Sequence, residues 1–226
     1  ARFPGYLDEL RQFDGIAAVS EESRDALLDY WRWLGASSPP PVKTIALGVD
    51  LPRPPESAVP SSSGFPPVVL SVGTLEGRKN HVALLDACEQ LWAGGEKFEL
   101  RLIGSVQRQT GRAALEKLRA LQAAGRPLRY DGPVPDAAVD AAYANCAFTV
   151  YPSLAEGFGL PVIESLARGR PCICSAHGAL GELSRDGGCL PLASVDRASL
   201  AAAIARLLTS PDELAALSAA AQNRTH

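Results

Sequence analysis

From residue 66 onward, short apolar runs alternate with helical patterns along the chain. The runs "PPVVLSVG", "KFELRLIG", "CAFTVYPS" and "PCICSA" are apolar nearly throughout, as strands buried on both faces are, and "PLRYDG" and "GGCLPL" are shorter runs of the same kind. The segments between and after them predict helices near 80–92, 108–124, 161–169, 196–208 and 211–222, and a short helix that Asp136 opens. This order predicts an α/β fold built on a doubly wound (Rossmann-like) parallel sheet. Ligands of such sheets bind at the carboxyl ends of the strands.

The first 50 residues follow another pattern. "DGIAAVS" and "VKTIALGVD" predict two short strands, and Ser20 is placed to cap a helix that begins with the acidic turn of "EESRDALLDYW". The aromatic side chains of "YWRWLG" are expected to pack rather than to form a binding platform. The following "LPRPPESAVPSSSGFPP" has the Pro and Ser density of an exposed linker. We therefore divide the chain into residues 1–50, the end of a preceding domain; residues 51–65, a linker; and residues 66–226, the main domain.

Composition excludes some classes of protein. Hydrophobic residues make up 46% of the 226 residues, enough for a packed core, and the formal net charge of -3 argues against a nucleic-acid binder. No apolar run approaches the roughly 18 residues of a membrane span, and no signal-peptide pattern opens the chain. The chain has no methionine and begins at Ala1, so we expect a fragment of a longer protein. The reduced thiols that we expect for its cysteines suggest the cytoplasm.

The five cysteines form no Cys-x-x-Cys pair. They are Cys88, Cys146, Cys172, Cys174 and Cys189. Cys172 and Cys174 would point to the same face of a strand, as two small core residues do. We expect buried, reduced thiols, with metal ligation or a disulfide as the lesser alternatives.

The stretch "AEGFGLPVIE", residues 155–164, leaves a strand and enters a helix at Pro161, a favoured first helical position. Gly157 and Gly159 carry no side chains, so backbone N–H groups near the helix start can approach a phosphate closely. Those N–H groups would belong to Phe158, Gly159 and Leu160.

Two acids flank these glycines, and carboxylates repel phosphate. Glu156 and Glu164 suit hydroxyl groups instead, because a carboxylate offers two acceptor oxygens to the vicinal diol of a ribose or a sugar ring. The alternative is that Glu164 merely compensates the dipole at a helix N-terminus.

A second motif, "VGTLEGRKNH", follows the first buried strand. Gly73 ends that strand, and Arg78 and Lys79 come just before a helix that Asn80 would cap. A bound diphosphate would carry roughly two negative charges, and the sequence has no Asp-x-Asp pair that would hold a metal against them. Arg78 and Lys79 are therefore expected to supply the neutralising charge, a bidentate fork and a point charge, without a metal or another cofactor. The alternative is a solvated surface pair.

The nine residues E-G-F-G-L-P-V-I-E, Glu156-x7-Glu164, resemble the signature of retaining GT-B glycosyltransferases of family 4, and the resemblance extends over residues 66–222. It implies the C-terminal, donor-binding half of the GT-B fold. Residues 1–50 would be the tail of the N-terminal acceptor domain, and the crossover helix of the family would be missing after His226.

The resemblance also implies roles for single residues. Glu164 would bind the ribose of the nucleotide, Glu156 and the backbone of Phe158–Leu160 would hold the donor sugar, and the basic pair would face the diphosphate. Many family members carry an arginine where this chain has Thr74, which leaves Lys79 as the firmer of the two cations and Thr74 as a hydrogen-bonding substitute.

Four further positions have weaker signals. Backbone near Val134, in "YDGPVPD", would meet the base, or else this loop is a plain turn capped by Asp136. Glu182 matches a family acid or is an ordinary carboxylate of a loop or helix start. His177 is expected in a surface loop and His81 on a helix surface.

The function that the resemblance implies is transfer of a hexose from a nucleotide-sugar, with retention of anomeric configuration and without a metal. The leaving phosphate would accept the proton of the acceptor. The spelling "GTLEGRKN" resembles bacterial members that build surface polysaccharides, which makes GDP-mannose the first expected donor and a UDP-sugar the next. The acceptor would be a glycan or a lipid-linked glycan, reached at the inner face of the membrane through peripheral contact by the N-terminal domain.

Residues 1–226 alone are expected to bind the nucleotide weakly and not to turn over. Two alternatives stay open at this point: a nucleotide-sugar epimerase of GT-B-like fold, and a non-catalytic nucleotide-sugar-binding subunit.

Overall fold

The computed structural model describes residues 3–48 and 66–224. In the first part, helix α1 (Phe3–Glu9) and a short 3-10 turn lead into strand β1 (Ile16–Ala18), helix α2 (Glu21–Trp33) and strand β2 (Val42–Thr44). β1 and β2 pair in parallel. The linker predicted at residues 51–65 lies outside the described residues.

The second part contains a six-stranded sheet with a helix after nearly every strand. Its elements are, in order, β3 (Val68–Val72), α3 (His81–Ala93), β4 (Glu99–Ile103), α4 (Arg112–Ala123), β5 (Leu128–Tyr130), α5 (Asp136–Asn145), β6 (Phe148–Tyr151), α6 (Leu160–Ala167), β7 (Cys172–Ser175), α7 (Gly178–Ser184), β8 (Cys189–Leu192), α8 (Arg197–Thr209) and α9 (Pro211–Gln222).

The strands of this sheet are all parallel and lie in the order β5-β4-β3-β6-β7-β8. The order runs outward in both directions from β3 and β6, which is the doubly wound arrangement, and the topological switch point lies between these two strands. The prediction of an α/β fold with a doubly wound, Rossmann-like parallel sheet is confirmed.

Side chains of the central strands alternate between two apolar layers. Phe148 and Val150 of β6 pack into the cluster that β3 and β4 share with α3, α4 and α8, whereas Tyr151 packs into the cluster of α6 and α7. Leu70 of β3 packs with Tyr143 of α5 on that second face. Burial on both faces explains why the sequences of these strands are apolar almost throughout.

Several local predictions are confirmed. Ser20 caps α2, its Oγ accepting a hydrogen bond from the Ser23 N–H at 3.0 Å. Trp31 is fully buried and donates from Nε1 to the Leu7 carbonyl at 2.8 Å, so it packs as expected, whereas Trp33 is exposed. All five cysteines are buried free thiols.

Other local predictions are wrong. Asp136 does not cap α5; it is the first residue of the helix, and the cap position is Pro135, whose side chain has no acceptor. The helix predicted from residue 108 begins at Arg112, because Gln107 Oε1 accepts from the N–H groups of Gln109 and Thr110 and closes a separate turn. Pro161 is the second helical residue of α6, not the first.

Asn80 takes the cap position of α3 in a left-handed conformation, but its side chain makes no capping bond and donates to the Val195 carbonyl at 2.8 Å. Within residues 3–48 and 66–224, every helix is too short or too polar to span a bilayer.

Candidate functional site

Two loops meet beyond the carboxyl ends of β3 and β6, the strands at the switch point. The Leu154 N–H of the second loop donates to the Arg78 carbonyl of the first at 2.8 Å, and Arg78 Nη1 donates to the Ala155 carbonyl at 3.2 Å. These bonds fix the two sequence motifs against each other, although more than 70 residues separate them. The structure therefore brings both predicted motifs to one edge of the sheet.

The carboxylate of Glu156 lies between the two predicted cations. Lys79 Nζ is 2.5 Å from Glu156 Oε1, and Arg78 Nη1 is 2.5 Å from Oε2. The Glu156 side chain is 9% exposed and that of Lys79 15%, whereas Arg78 is 49% exposed and also pairs through Nε with Glu76 at 2.8 Å. Lys79 is thus largely buried, and Arg78 is the open member of the pair.

The charge state of Glu156 follows from these contacts. Burial by itself would raise the pKa of the carboxyl group, but the hydrogen bonds from Lys79 and Arg78 outweigh it and hold the pKa below its usual value. Glu156 is therefore an anion at neutral pH, held by two cations that a second anion could share.

Glu164 lies in α6 beside two tyrosines. The Tyr143 hydroxyl is 3.3 Å from Glu164 Oε2 and 2.8 Å from the Tyr151 hydroxyl, and the Arg168 guanidinium lies 4.6 Å from the centre of the Tyr143 ring. Burial raises the pKa of Glu164, and the positive charge of Arg168 and the Tyr143 hydroxyl offset only part of that effect. The two acids of the motif thus have oppositely shifted pKa values.

The loop between the two acids is held by a buried side chain and a glycine. Phe158 packs into the cluster that contains Leu180 and Leu183. Gly159 caps α6 with φ 103° and ψ 45°, and a Cβ there would lie 2.5 Å from Leu180 Cδ2. Only glycine fits this conformation and this space. Leu160, by contrast, is exposed.

Gly73 and Thr74 follow β3 at the same edge of the sheet. A Cβ at Gly73 would meet no heavy atom within 4 Å, so the space beside it is open. Thr74 Oγ1 lies 3.0 Å from Ser105 Oγ, which follows β4, and a Cβ at Gly104 would lie 2.1 Å from the Gly73 carbonyl oxygen.

Ser105 is a residue of this edge that the sequence reading missed. The sequence did contain a pattern that could have indicated Ser105. The stretch "SVGT" ends β3 with a glycine followed by a hydroxyl residue, and "LIGS" has the same pattern at the end of β4. Val134, on the next loop, packs against the cluster that contains Ile103 and Tyr143. The structure does not show Thr74 or Val134 in contact with either acid.

The two histidines differ. His81 was predicted on a helix surface, which is wrong: it is buried at the start of α3, and burial together with the nearby charge of Lys79 lowers its pKa to about 4. Its imidazole is therefore neutral at neutral pH. His177 is exposed, as predicted, and its Nε2 lies 2.9 Å from the Ala193 carbonyl oxygen.

Glu182 is not a free helix-start carboxylate. It accepts hydrogen bonds from the backbone N–H groups of Glu21 and Glu22, at 2.9 and 2.7 Å, and so links α7 to the first turn of α2. No local sequence pattern could predict this contact, because Glu182 and its partners are about 160 residues apart.

Among the described residues, one group of side chains has metal-ligand spacing. The Sγ atoms of Cys172, Cys174 and Cys189 lie within 4.8 Å of one another, all buried. They belong to the apolar cluster under α6 and take no part in the Lys79–Glu156 contacts.

The family described as "Glycosyl transferases group 1" matches residues 53–224. The chain belongs to this family. The matched region contains both motifs and Glu182, whereas Glu21 and Glu22 precede it.

Two relatives are mannosyltransferases of Escherichia coli. The chain is 30% identical to the serotype-specific mannosyltransferase WbdA over 186 residues, which are 75% of this chain and 22% of that protein. It is 38% identical to O-antigen chain mannosyltransferase B over 119 residues, which are 53% of this chain and 31% of that protein. The chain thus spans less than a third of the length of either relative.

A solved structure agrees on the fold. Anabaena Alr3699/HepE, crystallised with UDP and glucose, superposes with a TM-score of 0.80 over 97% of this chain and 60% of that chain, at 19% sequence identity. The epimerase and the non-catalytic subunit are not favoured by these matches.

Proposed function

We propose that residues 66–224 are the donor-binding half of a retaining, family 4 glycosyltransferase that moves a hexose from a nucleotide-sugar to a glycan or a lipid-linked glycan. The observation that carries this proposal is the Lys79–Glu156–Arg78 cluster at the carboxyl ends of β3 and β6. It combines cations for a diphosphate with an anion for sugar hydroxyls at the switch point of a doubly wound sheet, where ligands bind.

In this proposal the donor enters a site in which Glu156 already orients Lys79. Lys79 stays on Glu156 and adds its charge to the diphosphate, while the half-exposed Arg78 turns from Glu156 and Glu76 towards the phosphate oxygens. The amides of Phe158, Gly159 and Leu160 lie at the start of α6, whose dipole favours the same negative charge. Glu156 then accepts hydrogen bonds from hydroxyls of the donor sugar.

The nucleoside lies on the other side of the diphosphate. The half-buried Glu164 carboxylate accepts from the ribose hydroxyls, Gly73 leaves room for the phosphates, Thr74 donates to them, and backbone near Val134 meets the base. The leaving diphosphate accepts the proton of the acceptor hydroxyl, so the protein contributes position and charge and no nucleophile. We propose that the cationic pair does the work of a metal and that no cofactor is needed.

GDP-mannose is the proposed donor, with a UDP-sugar as the second choice. The support for mannose is that both Escherichia coli relatives are mannosyltransferases, one of them of the O-antigen chain. We extend this to assembly of a bacterial surface polysaccharide in the cytoplasm, at the inner face of the membrane. Residues 3–48 are, in the same proposal, the end of the acceptor domain.

A thermal-shift panel tests the donor proposal. The 226-residue chain is heated alone and with GDP-mannose, UDP-glucose or ADP-glucose at equal millimolar concentrations. A ligand at ten times its Kd stabilises the folded state by about 1.4 kcal/mol, which is a measurable rise in Tm. The proposal expects the largest rise with GDP-mannose and none with mannose alone. If no nucleotide-sugar raises Tm, the donor site is wrongly assigned.

A further inference from the structure

The N-terminus of α2 lies on the junction between α7 and the loop that contains Gly157. Two of its first backbone N–H groups, those of Glu21 and Glu22, donate to the Glu182 carboxylate of α7 at 2.9 and 2.7 Å. A helix start leaves such N–H groups without partners inside the helix, and a carboxylate also interacts favourably with the positive end of the helix dipole. Glu182 therefore docks α2 by two charge-assisted hydrogen bonds.

The same helix start holds the loop of the donor site. Ser20 Oγ donates to the Gly157 carbonyl oxygen at 2.7 Å, and Ser23 Oγ donates to it at 3.0 Å. Gly157 directly follows Glu156, the anion that Lys79 and Arg78 bind. One carbonyl of the loop thus takes both of its hydrogen bonds from a helix that lies more than 130 residues earlier in the chain.

The charges around this contact show that it is specific. The first turn of α2 carries the acids Glu21 and Glu22, whose side chains repel the Glu182 carboxylate. Attraction between side-chain charges therefore does not explain why Glu182 lies at this helix start. Backbone N–H groups take up the Glu182 oxygens, and Arg185 lies 3.5 Å from Glu21. The packing is also close, since a Cβ at Gly178 would lie 3.5 Å from the Glu22 side chain.

We propose that Glu182 is a positioning residue of the donor site. By docking α2, it places the Ser20 and Ser23 hydroxyls on Gly157 and so keeps the Glu156 loop in its binding conformation. This proposal rests on the proposed function, and it makes the state of residues 3–48 a determinant of donor affinity. In this proposal Glu182 acts through α2 and not by binding the donor.

The test compares three variants of the 226-residue chain with the wild type. Glu182→Gln keeps the side-chain shape but leaves one oxygen acceptor for two N–H groups. Ser23→Ala removes one hydroxyl from Gly157 and leaves the Ser20 cap intact. Glu213→Gln is the matched control, because it removes a helical acid whose ion pair, in the described part of the chain, is with Arg206 on α8. Amide hydrogen exchange of residues 155–163 is measured without ligand, and the Kd of GDP-mannose and of UDP-glucose by calorimetry.

We expect Glu182→Gln and Ser23→Ala to speed exchange over residues 155–163 and Glu182→Gln to weaken donor binding at least about fivefold, the lower range of allosteric coupling. The control should match the wild type in both measurements. If Glu182→Gln speeds exchange only over residues 20–24, with residues 155–163 and the Kd unchanged, Glu182 is merely structural and the proposal is overturned. If the wild type binds neither nucleotide-sugar, the proposed function fails, while the exchange measurement still decides whether Glu182 controls the loop.

Discussion

The Lys79 ammonium group lies 2.5 Å from the Glu156 carboxylate, although 77 residues separate the two in sequence. Lys79 ends the loop after β3 and Glu156 belongs to the loop after β6, and these strands are neighbours in the sheet. Topology, not local sequence, therefore creates the charged pair on which the proposed donor site depends.

Glu156→Gln should destabilise the protein near neutral pH by about 1.5–3 kcal/mol, the range for hydrogen bonds to charged groups. The folded pKa of Glu156 lies below its unfolded value, so its stabilisation is present above the unfolded pKa and is lost as pH falls through the folded pKa. Chemical denaturation of the wild type and the variant at pH 7, 5 and 3 checks this. The difference in unfolding free energy should shrink with falling pH; a constant difference would contradict the ion-pair account.

Glu164→Gln should behave in the opposite way. The folded pKa of Glu164 is raised, so its ionisation costs stability as pH rises through the unfolded and then the folded pKa. At pH 7 the variant should be at least as stable as the wild type, because the amide oxygen still accepts from Tyr143. It should nevertheless bind GDP-mannose more weakly, by about tenfold or more, since a charged acceptor of the ribose hydroxyls is lost. Equal affinity in calorimetry would remove Glu164 from the site.

Lys79→Met should weaken donor binding more than Arg78→Met does. Lys79 is the more buried cation, and a charge in a drier setting acts more strongly on a diphosphate. Arg112→Met is the control, because among residues 3–48 and 66–224 the ion pair of Arg112 is with Glu116, on the surface of α4. The Kd of GDP, measured for all three variants, should rise most for Lys79→Met and stay unchanged for Arg112→Met. A larger loss for Arg78→Met would reverse the assigned roles.

Gly159→Ala and Gly157→Ala form a matched pair two residues apart. At Gly159 the new Cβ meets Leu180 at 2.5 Å and the backbone has φ 103°, so we expect a loss of about 1–3 kcal/mol. At Gly157 the nearest atom is Ser23 Oγ at 3.9 Å, an ordinary contact, and the folded state should keep nearly its full stability. Thermal unfolding of both variants separates them; equal losses of Tm would show that the loop is not held as described.

The sequence was sufficient for the sheet and the two motifs because both depend on local signals. Continuous apolar runs such as that of β3 follow from burial on both faces, and glycines followed by Pro161 indicate a strand-to-helix turn. His81 was misjudged because its burial depends on the packing of α3 against the rest of the domain. Glu182 binds partners about 160 residues away in the chain, and such a long-range contact leaves no pattern in the local sequence.

A crystal structure of the 226-residue chain with GDP tests the central claim most directly. The account predicts phosphate oxygens within hydrogen-bond distance of Lys79 Nζ and of the backbone N–H groups of residues 158–160, with the ribose hydroxyls on the Glu164 carboxylate. GDP bound at another edge of the sheet, with Lys79 still paired to Glu156 alone, would contradict it.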